Sequence, residues 1–179
     1  MKKLLLSLLV VVFSLTQLVA QESTFNQGDK VLNLGIGLGS SYYSRFYTSR
    51  LPAISASLEV GVKDGILEKG SIGVGGYFGY SSAKYSTYWK TSNILIGGRG
   101  SFHYPLVEKL DTYTGLLLGY NIFSTKYDNS YTGFNSASSS GLALAWFAGA
   151  RYYFSDKLAA MAEVGYGIAY LTLGISLKL

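Results

Sequence analysis

The chain has 179 residues, room for one domain, with 49% hydrophobic residues, 14% charged residues and a formal net charge of +5. So small a charged share is low for a soluble domain and ordinary for a membrane barrel. The absence of cysteine excludes disulfides and thiolate metal sites, and one histidine leaves a metal only scattered carboxylates, so no metal and no other cofactor is expected.

Met1–Ala20 reads as a secretory signal peptide. Lys2 and Lys3 form its basic start, and Leu4–Leu15 is an apolar core interrupted only by Ser7 and Ser14. Leu18-Val19-Ala20 then offers a loose small-residue cleavage site before Gln21. A membrane anchor is the competing reading, but the core falls short of the roughly 20 residues a spanning helix needs. The expected organisation is a signal peptide over 1–20, a short periplasmic segment over 21–29 and a barrel domain over 30–179.

No other apolar run approaches helical spanning length, so membrane residence would rest on strands of about 9–11 residues, even in number and closed into a ring. Eight such strands are predicted. The first, Lys30–Gly39, alternates Leu32, Leu34, Ile36 and Leu38 with Asn33, Gly35 and Gly37. Pro52–Lys63 sends Ile54, Ala56, Leu58, Val60 and Val62 outward and Ser55, Ser57, Glu59 and Gly61 inward. Gly70–Ser81 sets Ile72, Val74, Phe78 and Tyr80 against Gly73, Gly75, Tyr77 and Gly79. Thr91–Tyr104 carries Ile94, Ile96, Phe102 and Tyr104 outward and Gly97, Arg99, Ser101 and His103 inward, with Pro105 expected to end it. Asp111–Phe123 follows, with Leu116, Leu118, Tyr120 and Ile122 outward. The clearest pattern spans Gly141–Gly165, where two strands flank a Ser155-Asp156-Lys157 turn. The last strand is Tyr170–Leu179, and a turn is expected between Gly165 and Tyr170 because the outward parity changes from Val164 to Leu171.

One face of these strands is leucine and aromatic, the other glycine, alanine and a few charges. A soluble lipocalin-like barrel would need the small face to meet water, whereas glycine suits a cramped lumen, so the membrane orientation is preferred. Connection lengths agree. Lys63–Lys69, Pro105–Lys109 and Ser155–Lys157 are short, while the segments near Ser40–Leu51, Ser81–Lys90 and Ser124–Ser139 are long, as periplasmic turns and exterior loops would be.

These features together resemble the small eight-stranded outer-membrane barrels of the OmpA/OmpX type, porin-family-like domains, over essentially all of Lys30–Leu179. The resemblance implies an all-β, eight-stranded antiparallel up-and-down transmembrane β-barrel in a Gram-negative outer membrane. Its partners would be outer-membrane lipids, lipopolysaccharide and the barrel-assembly machinery. The chain departs from many members in ending Ser176-Leu177-Lys178-Leu179 rather than in an aromatic. Interface girdles are expected from Phe102, Tyr104, Tyr152 and Phe154 on the inner side and from Phe78, Tyr80 and Tyr120 on the outer.

Two groups of residues invite a functional reading. Inward parity places Glu59, Arg99, Arg151 and Glu163 in a narrow lumen with His103, where two acids and two bases should pair into an ionic plug. The alternative, implied by the same resemblance, is a switchable pair gating a narrow ion or small-solute path. The outer loops carry Arg45, Arg50, Lys84, Lys90 and Lys126 with Tyr43, Tyr47, Trp89 and Tyr131, against Asp128 as the single acid. Such a basic, aromatic rim suits lipopolysaccharide phosphates or, as an adhesin, a host or matrix ligand. Nucleic acid is disfavoured by export. Catalysis is not expected: Ser101-x-His103 resembles, in reversed order, the serine–histidine spacing of outer-membrane lipid A deacylases. No acid that would orient the histidine is evident, and the pair points into the lumen.

Overall fold

In the computed structural model, which describes residues 24–39, 49–85, 89–127 and 137–179, the period-two patterning closes into a ring. Nothing is described of the side chains of Ser49, Arg50 and Tyr85. The strands are β1 (Lys30–Leu38), β2 (Ser49–Ile66), β3 (Gly70–Tyr85), β4 (Trp89–Val107), β5 (Leu110–Tyr127), β6 (Ala137–Tyr153), β7 (Leu158–Gly165) and β8 (Leu171–Lys178). Each pairs antiparallel with the next, and β8 returns to β1 with Ser176 opposite Asn33. No strand edge is left along the closed seam, as hydrocarbon requires.

The burial pattern is inside out. Leu144 is 72% exposed, Leu116 56% and Ile36 57%, whereas Glu59 and Arg151 are 0% exposed. A belt of exposed leucine around a core of buried charge makes no sense in water and fits a wall surrounded by acyl chains. The chain is a transmembrane β-barrel.

Two local predictions need correction. Pro105 does not end β4, which runs to Val107; the proline stands opposite Asp111, and the register shifts between Pro105 and Val107. A proline is tolerated there because the irregularity releases the ladder from needing its missing N–H. Strands β2 to β6 are also longer than the bilayer demands, from 16 residues in β3 to 19 in β4. They take in residues expected to be loop, including Arg50, Lys84, Trp89, Lys90 and Lys126. The segment 24–29, ahead of β1, packs into the barrel mouth, with Phe25 1% exposed.

β7 and β8 have 8 residues each, so the wall is low on that side. Their connection is a turn, with Gly165 N–H donating to the Tyr170 carbonyl at 3.0 Å and Tyr166 N–H to the Trp146 carbonyl at 3.1 Å. It dips inward, burying Ile168 and Ala169, and the exposed parity switches from Val164 to Leu173.

The lumen is narrow enough to demand glycine in places. A Cβ on Gly75 would lie 2.2 Å from the Leu58 carbonyl oxygen, and one on Gly61 would lie 2.0 Å from the Asn26 carbonyl oxygen. A hydroxyl–amide chain crosses the closing seam. Ser176 Oγ donates to Asn33 Oδ1 at 2.7 Å, and Asn33 Nδ2 donates to Ser57 Oγ at 3.0 Å.

Candidate functional site

Alternate positions on five strands throw ionisable side chains to one level of the lumen: Glu59 from β2, Arg99 and His103 from β4, Asp111 from β5, Arg151 from β6 and Glu163 from β7. Arg151 lies at the centre. Its Nη2 donates to Glu59 Oε2, its Nη1 to Asp111 Oδ2 at 3.0 Å, and its guanidinium carbon stands 4.5 Å from the Tyr113 ring centre. Arg99 Nη2 donates to Glu163 Oε2 at 2.7 Å, and the same carboxylate oxygen accepts from Tyr113 Oη at 3.1 Å. The Arg99 guanidinium also lies 3.8 Å from the centre of the Phe147 ring. Cation–π contact of this kind replaces part of the hydration that burial removes.

His103 joins the two acids of the central group. Its Nδ1 is 2.9 Å from Asp111 Oδ1, and its Nε2 is 3.1 Å from Glu59 Oε1. When protonated, the imidazole donates at both nitrogens to the two carboxylates, which sets three cations against three acids in the lumen. Replacing a buried network of this kind by apolar residues need not destabilise a fold, but removing one partner strands the others.

Asp111 is the residue that sequence reasoning missed. It is 1% exposed and corrects two expectations: the lumen holds three acids rather than two, and His103 does have an acid orienting it. The signal was present, because Asp111 shares inward parity with Tyr113, Gly115 and Leu117. Ser101 Oγ is 2.9 Å from His103 Nε2, so the spacing of a serine–histidine–aspartate relay is reproduced. The surroundings do not match that chemistry. The Ser101 hydroxyl donates to Glu59 Oε1, and Phe25 stacks on the imidazole at 4.1 Å between ring centres. A void beside Arg99 and Glu163 is about 20 Å³, room for one water and not for a substrate.

The segment carrying Phe25 is pinned at several points. Ser71 Oγ donates to the Phe25 carbonyl at 2.7 Å, Gln27 N–H to Asp64 Oδ1 at 2.6 Å, and Lys178 Nζ pairs with Asp29 Oδ2 at 2.7 Å. This cork lies against the lumen network at the end where β1 begins and β8 ends.

At the opposite end, the predicted rim residues fall into two groups. Lys84, Lys90 and Lys126 stand directly opposite one another across β3, β4 and β5, all exposed. Trp89 lies one position away on β4, its ring 6.4 Å from that of Tyr127. Tyr43, Arg45, Tyr47 and Tyr131 lie outside the described residues, and only the backbone of Arg50 is described. Of the residues expected to form girdles, Tyr120, Tyr152 and Phe154 are exposed, Tyr80, Phe102 and Tyr104 partly so. Tyr166 and Tyr170, 6.2 Å apart and edge to face, add to the outer side where β7 and β8 meet.

Neither a family model nor a curated protein sequence matches the chain. Among solved structures, the attachment invasion locus protein Ail of Yersinia pestis is similar at 14% identity and a TM-score of 0.53, over 85% of this chain and 95% of that one. Ail in complex with the heparin analogue sucrose octasulfate is similar at 15% identity and a TM-score of 0.51, over 85% and 95%. A de novo designed transmembrane β-barrel is similar at 17% identity and a TM-score of 0.52, over 86% and 98%. At such identities the likeness speaks for the fold alone, and that fold is the small eight-stranded transmembrane β-barrel.

Proposed function

We propose that the chain is exported by its N-terminal signal, with cleavage near Ala20. It then resides in a bacterial outer membrane as a non-enzymatic barrel with a closed lumen, and serves envelope integrity and surface interaction through its basic, tyrosine-rich rim. The observation that carries this reading is the lumen network, in which Arg151, Glu59, Asp111 and His103 tie β2, β4, β5 and β6 together under the Phe25 cork. A pore selected for conduction would keep water where this barrel keeps paired charge. On the surface, the cationic rim complements polyanions. Ail, a barrel of similar fold, has been crystallised with one.

A second reading is a narrow ion path, favoured by the small void beside the Arg99–Glu163 pair, whose carboxylate is 13% exposed. Planar-bilayer recording separates the two. Under the closed-lumen reading the wild type and Glu59→Ala are both electrically silent. Stepwise openings in Glu59→Ala would transfer the assignment to a gated path.

A further inference from the structure

The outward face of β3 to β6 changes chemistry in three successive cross-strand rows. The first row holds Tyr80, Ile94, Ile122 and Ser140; the second, two residues farther out, holds Ser82, Ser92, Ser124 and Ser138; the third holds Lys84, Lys90 and Lys126. All three rows keep the parity of Val74, Phe78, Leu116 and Leu118, the side chains that face lipid. The lysines therefore project sideways from the wall and not into the lumen.

Their height follows from strand geometry. Four residues separate Lys84 from Tyr80, roughly 13 Å along a strand, or about 10 Å along the barrel axis at a tilt of 35–45°. The aromatic row marks the edge of the hydrocarbon, so the cations stand at or just beyond the headgroup layer, with hydroxyl groups filling the interval. Neighbouring strands are about 4.8 Å apart, so the three lysine Cα atoms span roughly 10 Å, within reach of one multiply charged saccharide.

Like charges placed directly opposite destabilise a sheet, and nothing described relieves these. Every described acidic side chain lies either in the lumen (Glu59, Asp111 and Glu163) or at the cork end (Asp29, Asp64, Glu68, Glu108 and Asp156). Among the described residues, none of the three lysines has an ion-pair partner. A cationic row with no acid beside it among the described residues, facing the leaflet and underlain by the hydroxyls of Ser124 and Ser138, has the form of a headgroup site.

We infer that Lys84, Lys90 and Lys126, with Ser124 and Ser138 beneath them, bind the phosphorylated inner-core saccharide of lipopolysaccharide in the surrounding leaflet. The inference rests on the outer-membrane reading above and names the ligand of its rim. Sideways projection selects a lipid of the same membrane over a ligand arriving from above, and the accessible hydroxyls of Ser124 and Ser138 supply hydrogen bonds to sugar that a bare phosphate would not use.

The test titrates the folded barrel in detergent with rough-type lipopolysaccharide carrying a phosphorylated inner core, with the same material dephosphorylated, and with a heparin oligosaccharide, read by native mass spectrometry. The variant Lys84→Gln/Lys90→Gln/Lys126→Gln is expected to bind phosphorylated lipopolysaccharide at least tenfold more weakly than wild type. The charge-matched variant Lys63→Gln/Lys69→Gln/Lys157→Gln, altered at the cork end, should bind within twofold of wild type. Heat-shifted gel mobility reports folding, and should the triple variant fail to fold, Lys90→Gln alone is expected to lose about threefold. Equal loss in both triple variants, no loss in either, or equal binding of dephosphorylated material overturns the site. Tighter binding of the heparin oligosaccharide than of lipopolysaccharide overturns the assignment to the membrane's own lipid. Separately, a Lys90→Cys variant should react with an impermeant maleimide on intact cells. Its failure to do so would sink the outer-membrane orientation, whatever the binding in detergent shows.

Discussion

Arg151→Met offers the sharpest examination of the lumen. The methionine keeps much of the length and apolar body of the arginine while removing both charged hydrogen bonds, to Glu59 and to Asp111. Two carboxylates that are 0% and 1% exposed then share one imidazolium. Breaking a buried pair from one side costs about 3–5 kcal/mol, and the remaining His103 contacts hold the loss near the lower end, about 3 kcal/mol. Glu59→Gln should cost less, about 1–2 kcal/mol, because Arg151 and His103 both retain Asp111. Guanidinium unfolding in detergent micelles, followed by the fluorescence of Trp89 and Trp146, reads these differences. With a slope of roughly 2–6 kcal/mol per molar, Arg151→Met lowers the midpoint by about 0.5–1.5 M. The Glu59→Gln/Arg151→Met double variant should recover part of the loss, since each change removes the charge that the other strands. A midpoint for Arg151→Met equal to wild type, or a larger loss for Glu59→Gln, would refute the reasoning that the arginine holds the acids together.

Two further expectations concern the wall. Gly75→Ala forces a methyl group against the Leu58 carbonyl and should cost about 3 kcal/mol or prevent folding. Gly100→Ala, with nothing within 4 Å of its added Cβ, should leave the unfolding midpoint unchanged or slightly raised, by about 0.5 kcal/mol; the reverse ranking would mean that the faces are misassigned. Cysteines placed at Leu34, Leu116 and Leu144 should resist an impermeant maleimide in intact envelopes and react once the barrel is denatured, and ready labelling of the native barrel would contradict a lipid-facing position.

The sequence disclosed most where two environments differ. Between the aromatic bands one face meets hydrocarbon and the other a packed lumen, so alternation is stark, and Leu142, Leu144 and Trp146 announce β6 unmistakably. Above the outer band the contrast between an apolar and a packed face is gone. The contrast fades into Ser82, Ser92 and Ser124, and strand was mistaken for loop through Lys84, Trp89 and Lys126. Asp111 is a different case: it opens the predicted strand Asp111–Phe123 with inward parity, and only the closed ring brings it opposite Arg151 and within reach of His103. Residues 24–29 have no periodicity to read, and their place depends on Phe25 finding His103, distant in sequence and adjacent only once the ring has closed.

The Ser176–Asn33–Ser57 chain has a consequence for how the cylinder comes together. The first strand made is the last to find its second neighbour, because β8 must exist before it can be zipped to β1. A slip of one residue at that joint would turn Ser176 out among acyl chains and push Ile175 or Leu177 into the polar middle. The amide of Asn33, bridging hydroxyls from both flanking strands, acts as a latch that rewards a single alignment at the moment of closure.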